Sequence, residues 1–152
     1  MIGLPAGQLE EWRAACQREI ETLTKRHVFD MVVHPNGCRV IKNQWVFDVK
    51  PNGRKRAHLV AKGFSQVEGK DFDQIFSPVV RFETVHLILA LAALEGWFLS
   101  GLDVWNAYLY GELEEEIYME QPEGFHARGK ERHVLRLHRA LYGLKQAGLA
   151  WW

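Results

Sequence analysis

"WVFDVKPNGRKRAHLVAKG", residues 45 to 63, decides the fold class. Trp45, Phe47 and Val49 alternate with other residues up to the turn signal Pro51-Asn52-Gly53, and "RKRAHLVAKG" then reads as the returning strand. A period of two puts one set of side chains on each face, so the stretch predicts a β-hairpin. Its basic side chains, Lys50, Arg54, Lys55, Arg56 and Lys62, project from the body. Upstream, Leu9, Trp12, Cys16, Ile20 and Leu23 recur at intervals of three and four, the period of an amphipathic helix following Pro5 and Gly7. Phe29, Met31 and Val33 alternate before Pro35-Asn36-Gly37, so the first half reads as a helix leading into β-hairpins.

Downstream, "FSQVEGKDFDQIF" predicts a loop. Pro78 precedes a helix over Glu83 to Glu95 that is apolar on nearly every side and closes at Gly96, the pattern of a buried helix with a left-handed cap. "WFLSGLDV" (97–104) predicts a central strand, Ile117 to Met119 another, and "HVLRLHRALYGLKQA" (133–147) a strand running into a helix. The class is α+β.

At 152 residues, 47% hydrophobic and 25% charged, the chain fits one domain with a modest core and carries no internal repeat. Its net charge is +0, so a nucleic-acid surface requires local segregation of charge. That segregation exists: the basic hairpin contrasts with Glu112, Glu114, Glu115, Glu116, Glu120 and Glu123. Cys16 and Cys38 form no Cys-x-x-Cys pair, which predicts free thiols of an intracellular protein and no zinc. The longest apolar run, "VHLILALAALEGWFL", is broken by His86, Glu95 and Gly96, so neither a membrane nor a secreted protein is expected. The apolar terminus "GLAWW" gives the expectation of a truncated unit.

Asp103, in "GLDVWNAYLYGEL" (101–113), sits between Leu102 and Val104 in a stretch that reads as buried. A buried carboxylate needs a cation, a donor network or a metal. Two readings stand: a metal carboxylate at a strand end, or a helix N-cap or buried ion pair. A single carboxylate cannot hold Mg²⁺ firmly without further oxygens, often those of substrate phosphates. The hairpin also has two readings, since exposed Lys and Arg keep an edge soluble, whereas five within Lys50 to Lys62, together with His58, suit phosphate contacts.

Taken in order, "WVFDVKPNGRKRAHLVAKGFSQVEGKDFDQIFSPVVRFETVHLILALAALEGW", "LDVWNAYLYGELEEEIYMEQPEGF" and "LYGLKQA" resemble the reverse transcriptase domain of copia-type retrotransposons over nearly the whole chain. The opening helix "EWRAACQREIETL" is similar to the family's as well. The resemblance implies the fingers and partial palm of a right-hand polymerase, with residues 1–81 fingers-like and 82–152 a partial palm that stops before a Tyr-x-Asp-Asp hairpin. Asp103 then matches the first catalytic aspartate, which binds two Mg²⁺ ions in the complete enzyme, and the Val104 carbonyl matches a backbone metal ligand. Tyr108 matches the residue beneath the incoming sugar that excludes a 2′-hydroxyl; core packing is its other reading. Gln146 resembles a glutamine that touches the nucleotide. Arg54, Lys55 and His58 resemble triphosphate contacts on the fingers strands, while Lys50, Arg56 and Lys62 suit nucleic-acid phosphates.

The expected partners are an RNA or DNA template-primer, deoxynucleoside triphosphates, and the remaining palm, thumb and RNase H regions of a polyprotein. Departures are His58 and His86 where the family usually has arginine, and Gly148-Leu149 where it has a proline-arginine pair. The expectation is therefore a fragment of an RNA-directed DNA polymerase that is inactive alone. Alternatives are a catalytically inactive nucleic-acid-binding remnant and the unstable product of a decayed reading frame.

Overall fold

The structure, a computed structural model, describes residues 6–152. Helix α1 spans Ala6–Lys25. Ala15, Cys16 and Leu23 on its apolar stripe are buried, and Arg18 and Lys25 stand on its exposed side. Strand β1 (Phe29–Val33) follows, then β2 (Val40–Ile41), β3 (Asn43–Val49) and β4 (Lys55–Ala61). The expected hairpin is β3 and β4, antiparallel in register from Asn43 opposite Ala61 to Val49 opposite Lys55. Gly53 turns it with φ +78, a conformation that favours glycine. Along β4, Ala57, Leu59 and Ala61 are buried while Arg56, His58 and Val60 are partly exposed, which is the predicted alternation of period two.

The segment around Pro35-Asn36-Gly37 does not make a hairpin. β1 pairs antiparallel with β6 (His133–Arg139), Phe29 lying opposite Leu137, while β2 crosses to the other edge and pairs parallel with β5 (Glu112–Met119). The four-stranded sheet has the order β1-β6-β5-β2 and so joins residues from both ends of the sequence. Leu23, Ile41, Leu59, Ile117, Met119, Leu135 and Leu141 meet in one core between this sheet, the hairpin and α1. A smaller cluster of Ala15, Cys16 and Ala57, flanked by Trp12, Trp45 and Phe125, fastens α1 to β4.

Two expectations fail in the middle of the chain. Helix α2 (Phe82–Glu95) forms and closes on Gly96 at φ +68 as read, yet only Ala92 is buried. Residues 97–104 form no strand, because none of the described strands lies beside them to take up their backbone hydrogen bonds. The pattern specifies apolar surface, and burial of that surface requires a neighbour that the described residues do not supply. A short α3 (Ala147–Trp151) packs back against a 3₁₀ turn at Ala107–Tyr110. None of the described helices is long and apolar enough to cross a membrane.

Candidate nucleotide and metal site

Asp103 is exposed, in an extended stretch rather than at the end of a buried strand. Its carboxylate therefore avoids the full desolvation cost anticipated from its apolar neighbours. Three residues on, Asn106 takes a left-handed conformation (φ 56), which asparagine tolerates better than most residues, and this bends the chain into the 3₁₀ turn that carries Tyr108. Tyr108 packs edge-on against Tyr142, ring centres 5.1 Å apart. Tyr142 also lies 5.5 Å from the His58 ring. Burial holds the Tyr142 hydroxyl above its ordinary pKa; Arg56 opposes the rise, and Glu19, Tyr108 and Asp103 add to it. The hairpin, α1 and the Asp103 loop thus converge on one tyrosine.

Beside this junction a cleft of about 340 Å³ opens between α1, the hairpin and Trp105-Asn106. Lys50, Arg54, Lys55, Arg56 and His58 line its hairpin wall. His58 Nδ1 lies 3.1 Å from Glu19 Oε1, and because a carboxylate only accepts, the imidazole donates. Across the cleft, Arg18 Nη2 donates to the Lys55 carbonyl at 3.3 Å.

Of the predicted site residues, Asp103, Val104, Tyr108, Lys62 and Gln146 do not themselves line the cleft. Lys62 is half-buried at the start of a 3₁₀ turn, outside the residues that line the cleft. Gln146, 2% exposed, accepts from Gln66 Nε2 at 3.0 Å and donates to the Asp71 carbonyl at 2.9 Å, while Gln66 Oε1 accepts from Lys145 N. In this arrangement Gln146 holds the loop at 66–72 to the turn at 143–147. A close backbone contact reinforces the clasp. Ala61 N donates to the Tyr142 carbonyl at 2.8 Å, and a Cβ on Gly63 would fall 2.0 Å from the Gly143 oxygen.

The sequence reading missed Arg18, Lys25 and Tyr142. Arg18, Thr22 and Lys25 recur at intervals of four and three, so they share one stripe of α1. That stripe is a readable signal, although a charged helix face reads equally well as plain solvated surface.

As for metal, Asp103 and the Val104 carbonyl offer hard oxygens, the donor type that Mg²⁺ takes, and Mg²⁺ keeps several waters while binding one or two carboxylates plus substrate phosphates. The donor chemistry therefore fits. Among the described residues, no cluster of three or more His, Cys, Asp or Glu could hold an ion by itself.

The family described as reverse transcriptase (RNA-dependent DNA polymerase) matches residues 26–152. This chain belongs to that family. Its curated relatives make it copia-type. It is 49% identical over 143 residues to a retrovirus-related Pol polyprotein from transposon TNT 1-94 of Nicotiana tabacum, an alignment covering 91% of this chain and 11% of the relative. It is 38% identical over 149 residues to the Pol polyprotein from transposon RE1 of Arabidopsis thaliana, covering 94% of this chain and 10% of the relative. A third relative, the transposon Ty1-ER2 Gag-Pol polyprotein of Saccharomyces cerevisiae, is 30% identical over 155 residues, covering 94% and 8%. The chain thus spans about a tenth of the length of the curated relatives it matches. No solved structure matches it.

Proposed function

We propose that the chain supplies the fingers-type part and the first palm-type segment of an RNA-directed DNA polymerase of a copia-type retrotransposon. The observation that carries this reading is the cation-lined cleft beside the Asp103 loop, whose hairpin wall and Trp105-Asn106 border lie within the segment that the family matches. In this reading residues 1–81 are fingers-like and 82–152 palm-like. The apolar face of residues 75–105 is covered, in the working enzyme, by further Pol polypeptide.

Arg54, Lys55 and His58 bind and orient the triphosphate, with the first two as charge-assisted donors and His58 through its ring. Tyr108 sits beneath the sugar and excludes a 2′-hydroxyl. Lys50, Arg56 and Lys62 neutralise template-primer phosphates. Gln146 acts on the nucleotide pocket through the turn it fixes. Asp103 and the Val104 carbonyl would hold divalent metal, which when bound activates the primer 3′-hydroxyl and neutralises charge on the phosphates.

The test joins residues 1–152 to the polypeptide that follows the matched region in the tobacco relative and measures template-directed deoxynucleotide incorporation. Asp103→Asn is expected to lower kcat by about 100-fold or more with a far smaller change in KM, because it removes charge that acts on the reacting groups. Tyr108→Val should raise ribonucleotide use relative to deoxyribonucleotide. Incorporation unaffected by Asp103→Asn would overturn the reading.

A further inference from the structure

Helix α1 ends at Lys25, just before the segment that the family matches at 26–152, yet it forms one wall of the cationic cleft. We propose that α1 is part of the binding site, with Arg18 and Lys25 contacting a compact polyphosphate held between the helix and the hairpin. This rests on the reading above and extends it to residues that reading leaves out.

Charge is the first argument. Six cationic residues line the cleft, Arg18 and Lys25 from α1 and Lys50, Arg54, Lys55 and Arg56 from the hairpin, with the Lys55 ammonium also lying 5.0 Å from the centre of the Trp12 ring. Among the described residues none of the six has a carboxylate within 4.0 Å, so no ion pair within the chain neutralises them. Two carboxylates also line the cleft, Glu19 bonded to His58 and Glu21 to Gln17, so cations outnumber anions there by six to two. Converging like charges repel, so an arrangement of this kind favours an anion that brings them together.

Shape is the second argument. At about 340 Å³ the cleft is near the lower end of the range for small-molecule sites, roughly 300–1,000 Å³. Trp105 and Asn106, just beyond Asp103, border it on a third side. A groove tracking a nucleic-acid strand would run open at both ends; a pocket bounded by three elements suits a triphosphate whose other end points toward Asp103. Position is the third. Arg18 is already drawn across by its bond to the Lys55 carbonyl, and Lys25 ends the helix. Lys25 also favours the negative end of the helix dipole, a role that needs no ligand, so the experiment must separate the two.

Inorganic tripolyphosphate is titrated by calorimetry into the 152-residue chain at low salt. Arg18→Gln/Lys25→Gln and Arg54→Gln/Arg56→Gln are each expected to weaken binding by about ten-fold or more, the scale of lost charge-assisted contacts. Arg128→Gln, in an exposed loop that does not line the cleft, should change it by less than two-fold. Arg18→Lys/Lys25→Arg keeps the charges and should stay within a few-fold of the parent, and circular dichroism of every variant should match the parent. A deoxynucleoside triphosphate should displace tripolyphosphate, and a twelve-nucleotide single strand at equal phosphate concentration should not.

If the hairpin pair weakens binding and the α1 pair does not, α1 is only a support; this inference falls while the proposed function stands. If the oligonucleotide displaces the probe more effectively than the nucleotide, the cleft is a strand groove and the polyphosphate assignment falls. No binding at all would remove both this inference and the hairpin's triphosphate role.

Discussion

Two regions of this molecule have similar apolar character and opposite fates. In the body, formed by α1, the hairpin and the four-stranded sheet, Leu23, Leu59 and Met119 are fully buried. In the limb, residues 75–105, Phe98 and Leu102 are almost fully exposed, Leu94 is 81% exposed, and α2 buries only Ala92. Every strand of the body has a partner, in one case more than a hundred residues away, as Phe29 has in Leu137, while residues 97–104 have none among the described strands. Hydrophobic residues state a requirement for burial; whether it is met depends on a partner surface. In the proposed function that partner is further Pol polypeptide.

The sharpest way to break the comparison is truncation of matched leucines. Leu59→Ala or Leu135→Ala in the body should cost about 2–5 kcal/mol, as buried leucines do when they leave a cavity. Leu87→Ala or Leu94→Ala in the limb should stay within about 0.5 kcal/mol, since those side chains are already in water. Urea midpoints of the four variants measure this. A Leu94→Ala loss equal to that of Leu135→Ala would mean the limb is packed in solution.

Glycines give a second contrast of smaller size. A Cβ on Gly63 meets the Gly143 carbonyl at 2.0 Å and the Gln66 side chain at 2.9 Å, so Gly63→Ala should cost about 1–3 kcal/mol by forcing β4 off the turn that Gln146 holds. Gly101 has nothing within 4 Å, so Gly101→Ala should leave the thermal midpoint of unfolding within about two degrees. Equal shifts for the two would deny that the hairpin and that turn form one unit.

The same division explains what could be read in advance. α1 and the β3–β4 hairpin were legible because their signals are local: an interval of three and four in one, an alternation ended by Pro51-Asn52-Gly53 in the other. β1 was legible as a strand but not in its pairing, because nothing near Phe29 names Leu137 as its partner. α2 was legible as a helix and misread as buried. At the candidate site the hairpin cations and Asp103 could be found as motifs, but Arg18, Lys25 and Tyr142 belong to the site only through proximity created by folding. Gln146 shows the converse, a motif residue whose amide is taken up by Gln66 and Asp71.

The finest test of body against limb uses the thiol of Cys16. Its side chain lies between α1 and β4 at 1% exposure, and burial pushes its pKa up to about 11, with a backbone hydrogen bond opposing and Glu19 adding to the rise. At pH 8 the group stays a thiol and shielded, so a disulfide exchange reagent should label the partly exposed Cys38 first and Cys16 only as the body opens. Leu94→Cys places a thiol on the limb and should react at the rate of an unfolded chain. A raised pKa also fixes the sign of a pH effect: the folded state favours the protonated thiol, so stability is unaffected below the unfolded value, roughly 8.5, and declines as pH rises toward 11. Other groups titrate in that range too, so the measurement is the difference in urea midpoint between the parent and Cys16→Ala at pH 7.5 and pH 10. The parent should lose more stability than Cys16→Ala over that interval. Equal losses, or labelling of Cys16 as fast as a cysteine at position 94, would mean that α1 does not seal the body against water.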